Sequence, residues 1–228
     1  MRLLIDADMS CYAVANSCKE EPLEVACRTL AGMITDIIAD LTTAEDTTWT
    51  LFLSGASADN FRHDVAVTAP YKGNRPSEKP AHLQGLRDYL LEEWDAQLSV
   101  NQEADDDIAT AAEGDSEAII VSQDKDFDQC VGWRYNPRHK KLYEVTEESG
   151  KLWFYRQFLI GDSIDNIKGA DGIGAVKSLK LLEGLSEEEM WDCVVEHLGY
   201  DRALENGQLL HLRRYEDEDW TPPTGEDS

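Results

Sequence analysis

The sequence predicts an α/β fold, a parallel sheet with helices on both faces, and three observations carry that prediction. Short apolar runs recur at Leu3-Leu4-Ile5, at residues 49–53 and at residues 118–121, each the length of a buried strand. Each run is closed by a polar or small residue: Asp6, Ser54-Gly55 and Ser122. Between the runs lie stretches of helical spacing, and strands that alternate with helices build parallel sheets. The chain of 228 residues is one large domain or one domain with a small appendage. A chain of that size buries roughly 70% of its unfolded surface, which suffices for a substantial core.

In chain order, Asp6 ends the first run and Asp8 follows, so an extended chain aims both carboxylates to one side. Residues 24–41 place Val25, Leu30, Met33, Ile34, Ile37, Ile38 and Leu41 at helical spacing, and residues 83–98 read the same way. Residues 56–80 have no clean period and contain Pro70, Gly73, Pro76 and Pro80. A loop of that length inside a compact domain is usually functional or disordered. Residues 140–145 and 151–154, around Glu148-Ser149-Gly150, read as a hairpin. From Phe158 onward the pattern is helical, with a Gly-rich break over residues 169–174, and residues 221–228 read as a frayed tail. The expected division is a domain at 1–156 that includes the loop 56–80, a helical region at 157–215, and an acidic tail at 216–228.

The formal charge of −25 argues at first against a nucleic-acid partner, because phosphate binding depends on Lys and Arg displacing counterions. The charge is unevenly placed, however. The tail at 216–228 holds six acids and no base, whereas residues 134–156 hold six bases and three acids. Residues 62–79 hold four bases against two acids, and residues 168–180 hold three against one. A local anion-binding face therefore survives. Five cysteines form no C-x-x-C pair and read as reduced thiols, mostly small core residues, of a cytoplasmic protein. No apolar run approaches the ~20 residues of a membrane span, and no signal peptide is visible. A disulfide scaffold, a membrane protein and a zinc ribbon are excluded.

Acidic clusters sit at the ends of the expected elements. They are Asp6 and Asp8; Glu103, Asp105, Asp106 and Asp107; Asp124 and Asp126; and Asp162 and Asp165. Taken alone, residues 103–107 are a helix start that complements the helix dipole. Likewise Asp124 and Asp126 alone are a turn, and Asp162 and Asp165 a solvated face. Placed together at the carboxyl ends of parallel strands, where ligands of α/β sheets bind, so many carboxylates would repel one another unless cations neutralised them. Oxygen-only ligands with no histidine nearby favour Mg²⁺ or Mn²⁺, and such sites perform two-metal phosphoryl chemistry. Two phosphate-facing features accompany them. Tyr71-Lys72-Gly73-Asn74-Arg75 offers a point charge and a bidentate fork within the long loop. In Gly172-Ile173-Gly174-Ala175-Val176-Lys177, two glycines admit a ligand close to backbone and a helix start supplies N–H groups, with Lys177 and Lys180 adding charge.

These motifs, in this order, resemble the 5′→3′ exonucleases and flap endonucleases of the PIN-like superfamily, most of all the short phage exonucleases. The resemblance spans essentially the whole chain, including Trp191-Asp192-Cys193 and residues 207–214. It matches Asp6 to the family's first-strand acid, Glu103-Ala104-Asp105-Asp106 to its Glu-x-Asp-Asp motif, and Asp124-Lys125-Asp126 to its Asp-x-Asp motif. Gly161-Asp162-Ser163-Ile164-Asp165-Asn166 matches the Gly-Asp-x-x-Asp-Asn motif. Residues 172–177 match a helix-hairpin-helix that binds duplex backbone, often with a K⁺ ion, and residues 71–75 match the arch motif at the scissile phosphate.

The resemblance implies a PIN-like nuclease domain with a helical C-terminal part, and hydrolysis of phosphodiesters near a DNA 5′ end, flap or nick. It extends to RNA in RNA–DNA hybrids, as in primer removal during replication, by a monomer in the cytoplasm of a prokaryotic host. Two Mg²⁺ or Mn²⁺ ions are implied, one organised by Asp6, Glu103, Asp105 and Asp106 and the other by Asp124, Asp126, Asp162 and Asp165. Lys72 and Arg75 are the implied catalytic cations, with Tyr71, Gly172, Gly174 and Lys177 on DNA. One departure stands out: where the family carries an acid after the second strand, this chain reads Leu53-Ser54-Gly55-Ala56-Ser57. Ser54 or Ser57 stands in that place, and Asp8 is the auxiliary ligand that could substitute. Two other readings stay open, a catalytically impaired protein that grips branched DNA and a PIN-type ribonuclease for single strands.

Overall fold

The computed structural model describes residues 1–42, 46–75 and 78–223. The chain forms two compact units. The first comprises Met1–Asn60, Pro76–Phe127 and Gly132–Glu144, and the second Phe61–Arg75, Asp128–Val131 and Val145–Ser228.

The first unit is a sheet with helices. Its strands are β1 (Arg2–Asp6), β2 (Thr48–Leu53), β3 (Gln97–Leu98), β4 (Ala118–Val121), β5 (Gly132–Asn136) and β6 (Lys141–Val145). Among the described residues they lie in the order β3-β2-β1-β4-β5-β6. β1 pairs in parallel with β2 and β4, with Ile5 opposite Leu51 and Val121, and β4–β5 and β2–β3 are parallel too. The chain leaves β1 for β2 on one side and resumes at β4 on the other. The carboxyl ends of β1 and β4 therefore flank a topological switch point, the place where open α/β sheets bind ligands. All three sequence-predicted strands are present, and the sheet is mostly parallel, as expected.

Helices α1 (Ala7–Ser17), α2 (Leu23–Leu41), α4 (Leu83–Glu93) and α5 (Ala104–Ala112) belong to this unit. Helix α2 forms where the spacing predicts, and it buries Ala26, Leu30, Ile34, Ile37 and Leu41 against Leu3, Ile5 and Leu51. Each such side chain contributes roughly 1.5–3 kcal/mol on burial, so Leu30→Ala would cost about 2–5 kcal/mol. Helix α1 overturns the extended reading of residues 6–8: Asp6 is its N-cap and Asp8 lies in its first turn. Its buried face of Ala7, Ser10, Cys11, Val14 and Ala15 is too small and polar to register as an apolar stripe. The expected helix over 83–98 stops at Glu93, because Asp95 takes a left-handed conformation (φ 50°) and the chain then enters β3.

The second unit is mainly helical. It contains α3 (Arg62–Val65), α6 (Glu147–Ile160), the antiparallel pair β7 (Gly161–Asp162) and β8 (Ile167–Lys168), α7 (Ala175–Leu182), α8 (Glu187–Leu198) and α9 (Tyr200–Leu210). Its core gathers Phe154, Tyr155, Phe158, Leu182, Trp191, Val194 and Leu210. The hairpin expected over 140–154 does not form. Residues 141–145 are β6, next to β5, while residues 147–160 are helix. Thr146 explains the difference, since its side chain accepts from the Ser149 amide while the Ser149 hydroxyl closes the reciprocal capping box. Glu147 and Glu148 add favourable charge to the first turn. Helix α6 runs unbroken across the 156/157 boundary drawn from sequence, and residues 61–75 pack with the helical unit. Of the arch segment 56–80 and the acidic tail, Pro76, Ser77 and residues 224–228 lie outside the described residues. Among the described residues no helix is long and apolar enough to cross a membrane, and all five cysteines are unbridged.

Candidate active site

In the first unit, acidic side chains collect at the carboxyl ends of β1 and β4. Asp6 is buried, and its Oδ2 accepts a hydrogen bond from Ser122 Oγ at 2.8 Å. That hydroxyl accepts in turn from the Asp124 amide (3.0 Å), and Asp124 Oδ1 accepts from the Asp126 amide (2.9 Å). The Asp124-x-Asp126 motif is thus an Asx-type turn hung on the serine that ends β4, as its spacing suggests. Arg134, 1% exposed on β5, fixes that turn by donating to the Asp124 carbonyl at 2.5 Å, and it lies 5.5 Å from the Phe127 ring centroid. Burial first, then the nearby charges of Asp8 and Asp124, push the Asp6 carboxyl up to about 7 against the lowering effect of the Ser122 hydrogen bond. Negative charge on Asp6 is therefore disfavoured by its surroundings.

Helix α5 begins beside these groups. Glu103 is its N-cap and forms a capping box with the fully buried Asp106, whose Oδ2 accepts from the Glu103 amide at 3.1 Å. Asn60 donates to Glu103 Oε1 at 2.9 Å, Gln102 donates to Asp107, and Asp105 is half-buried. The motif is therefore a helix start, as one reading of its spacing had it. The Ala104 amide donates to Ser54 Oγ at 3.1 Å, so the serine standing in place of the family's acid pins α5 to the end of β2. The Ser57 side chain lies outside what the structure describes. Asp8 is engaged by protein donors: the Ser54 amide at 2.7 Å and the Arg87 guanidinium, which also donates to the Ser54 carbonyl. Arg87, on α4, was invisible in the sequence because nothing in its neighbourhood marks it as a partner for residues 8 and 54. Among the described residues no three acidic, histidine or cysteine side chains stand together as a ready-made cation cage.

The second unit arranges its acids differently. After β7 the chain turns tightly, with Asp162 Oδ1 accepting from the amides of Ile164 (2.6 Å) and Asp165 (3.2 Å). Asp162 and Asp165 thus stand in a turn between two short strands, where a helical face had been one reading of their spacing. Asp165 accepts from the Tyr71 hydroxyl (2.8 Å) and from Arg75 (2.5 Å), with Lys72 Nζ 3.9 Å away. Contacts to main-chain carbonyls latch the same two segments. The Lys72 amide donates to the Asp165 carbonyl (2.9 Å), the Asn74 side-chain Nδ2 to the Ser163 carbonyl (2.6 Å), and the Asn166 side-chain Nδ2 to the Pro70 carbonyl (2.9 Å). Residues 70–73 form a β-turn whose third residue, Lys72, has φ 55°, a conformation that costs a side-chain-bearing residue about 1–2 kcal/mol. The Lys–Arg pair is thus held by a fixed turn at the base of the loop.

In the glycine motif, Gly172 adopts φ 72°, which a side chain would resist, whereas Gly174 is the extended N-cap of α7 (φ −104°). A Cβ at Gly174 would meet nothing within 4 Å, so neither strain nor packing demands glycine there. Gly172, Gly174 and Lys177 are all exposed.

No family model matches the chain. It is 33% identical over 167 residues to the flap endonuclease Xni of Shewanella piezotolerans, covering 65% of each chain. It is 31% identical over 144 residues to the thermostable DNA polymerase I of Thermus caldophilus, covering 56% of this chain and 17% of the polymerase. The matched stretch thus spans less than two thirds of either relative. Among solved structures, the bacteriophage T5 D15 flap endonuclease in complex with DNA and metal ions superposes with a TM-score of 0.66 at 16% identity, covering 92% of this chain and 89% of that one. Flap endonuclease-1 from Methanococcus jannaschii gives 0.59 at 16% identity, covering 95% and 79%. In sequence the chain is thus similar to a flap endonuclease and to part of a DNA polymerase I, and it shares the fold of the solved flap endonucleases.

Proposed function

We propose that the protein is a divalent-metal-dependent nuclease that hydrolyses phosphodiester bonds near DNA 5′ ends, flaps or nicks, and the RNA strand of RNA–DNA hybrids. The observation that supports this most is Asp6, a carboxylate at the sheet's switch point whose pKa is pushed up to about 7 by burial first and then by the neighbouring charges of Asp8 and Asp124. An all-oxygen donor set with unneutralised charge suits a hard cation such as Mg²⁺ or Mn²⁺. In the first unit Asp6, Glu103, Asp105, Asp106, Asp124 and Asp126 would hold the ions. In the second unit the residues are Asp162 and Asp165. Bound there, such ions would supply an activated water and electrostatic stabilisation of the phosphorane-like transition state. Asp8 is less suited to a ligand's role, because Arg87 and the Ser54 amide already engage it.

The remaining work falls to other side chains. Lys72 and Arg75, presented by a fixed turn, meet negative charge as it develops on the phosphate. Gly172, Gly174 and Lys177 grip duplex backbone, which carries no base information, and a K⁺ ion belongs to this motif in the family. Action as a monomer in the cytoplasm completes the proposal. The binding-only alternative draws on Ser54, which caps α5 where relatives of this family carry an acid.

Incubating the protein with a 5′-labelled flap, a nicked duplex and an RNA–DNA hybrid, in Mg²⁺ and in EDTA, tests the reading. Metal-dependent cleavage near the 5′ end is the expected result. Tight binding of the flap with no cleavage by the folded protein would favour the binding-only alternative. Cleavage confined to single-stranded RNA would favour the ribonuclease.

A further inference from the structure

Helix α9 contacts two segments that the proposed activity turns toward nucleic acid. Glu205 is nearly buried, at 9% exposure, and one of its oxygens accepts from two successive backbone amides, Val67 (2.6 Å) and Thr68 (2.7 Å). Its second oxygen accepts from the Thr68 hydroxyl. Two residues downstream begins the Pro70–Gly73 turn that carries Lys72. On the same helix, three residues before and one after, stand Arg202 and Asn206, which share a face with each other at i,i+4. Arg202 donates to the carbonyls of Lys168 (2.8 Å) and Gly169 (2.9 Å), and Asn206 to those of Lys168 (3.1 Å) and Phe158 (3.3 Å). These carbonyls lead into Gly172 and Gly174. The helix itself is fixed by Ala203, Leu209 and Leu210 in the core of the second unit.

A buried carboxylate that serves three donors of an irregular segment is costly to maintain as mere packing, since an apolar residue would fill the same space. The turn it precedes has a reason to need it. Lys72 at φ 55° is strained, and such strain persists only where the surroundings over-determine the backbone. We propose that α9 is a positioning element of the nuclease. Glu205 sets the height and direction of the Lys72–Arg75 turn, while Arg202 and Asn206 set the lead-in to the duplex-gripping glycines. None of the three touches a reacting atom. The proposal rests on the nuclease reading for its functional half alone.

Glu205→Ala, Glu205→Gln and Arg202→Ala are compared with wild type in two measurements. The first is amide hydrogen exchange at Lys72, Gly73 and Arg75, whose amides bond elsewhere; a local loss would stop at Val67 and Thr68. The second is single-turnover cleavage and affinity on a 5′-flap substrate in Mg²⁺. Glu205→Ala should speed exchange at residues 72–75 and lower the saturated rate about tenfold to 10²-fold with affinity nearly unchanged. Glu205→Gln, which keeps one oxygen for both amides, should recover most of that loss. Arg202→Ala should weaken binding of duplex-containing substrate and spare the saturated rate. Wild-type exchange at residues 72–75 in Glu205→Ala, a loss confined to affinity, or a Gln variant as impaired as Ala would each overturn the proposal. Thr68→Val, at an exposed site, replaces Glu205→Ala should that variant not fold, with the same direction expected in both measurements. If wild type cleaves nothing, the nuclease reading fails, and the exchange data still decide whether Glu205 positions the turn.

Discussion

In the first unit Asp6 is buried near two other carboxylates and accepts from the Ser122 hydroxyl and the Met9 amide, whereas in the second unit Asp165 meets Arg75 at 2.5 Å, Lys72 and a tyrosine hydroxyl. Asp6 ends β1 and Asp165 lies in the turn between β7 and β8, yet one is left among carboxylates and the other is given cationic partners. The difference bears on where a cation would bind. A charged carboxylate at Asp6 is unfavourable in its buried setting, and under the proposed function a divalent ion would relieve that cost. In the second unit Asp165 has cationic partners within the protein, and the contact holds Lys72 and Arg75 in a defined turn. The same residue type thus serves as a vacancy for charge in one place and as a latch in another.

Removing an acid at the charged end should have the largest effect. Asp124→Ala or Asp126→Ala should lower cleavage by about 10³-fold, the several kcal/mol a misplaced metal would forfeit, while flap binding is retained or tightened. Cleavage at near wild-type rate by either folded variant would break the comparison. Asp165→Ala should be comparably inactive but for two reasons, and only it should also release the turn, seen as faster exchange at the Lys72 amide. Next come Lys72→Ala and Arg75→Ala, each expected to reduce the maximal rate about 10²-fold with little change in affinity. Arg75 is 44% exposed, so its salt bridge contributes about 1 kcal/mol or less to stability, and the melting temperature should barely move.

Much of this was legible in the sequence. The apolar runs at residues 3–5, 49–53 and 118–121 became three neighbouring strands, and the acids and cations that follow them carried the resemblance to flap endonucleases, with which the chain shares sequence and fold similarity. What escaped depends on partners distant in the chain or on weak local signals. Helix α1 was hidden because its buried face is Ala, Ser and Cys. The capping box of Thr146 and Ser149 was read as a turn because Ser149-Gly150 imitates one. The engagement of Asp8 by Arg87, and of residues 67–68 by Glu205, could not be read at all, since each joins segments 79 or more residues apart. The carboxylate motifs were readable because their spacing is local; their opposite electrostatic states were not, because burial and counter-charges come from the fold.

A smaller effect concerns pH. In metal-free protein the Asp6 carboxyl holds its proton up to about pH 7, whereas the unfolded chain releases it near the ordinary 3.8. Between those values the native state binds the extra proton, so this group's contribution to stability falls as pH rises, by up to about 1.4 kcal/mol per pH unit. Asp6→Asn should remove that slope, measured as the difference in unfolding free energy between the two proteins in EDTA from pH 4 to 7. Identical slopes would mean that Asp6 is neutralised within the protein. The smallest effect on the fold is expected from Gly174→Val, where a side chain meets open space. It should melt like wild type yet weaken duplex binding equally across sequences, and Lys177→Ala should lower the salt slope of binding by about one unit.

The contrast between the two units is tested most directly by titrating Mn²⁺ into the intact protein by calorimetry, with Asp6→Asn and Arg75→Ala alongside wild type at pH 7.5. Wild type should bind the ion, Asp6→Asn should bind it about tenfold or more weakly, and Arg75→Ala, which leaves Asp165 with one partner fewer, should bind it at least as tightly as wild type. Equal affinity in wild type and Asp6→Asn would contradict the claim that the charge at the switch point exists to receive a cation.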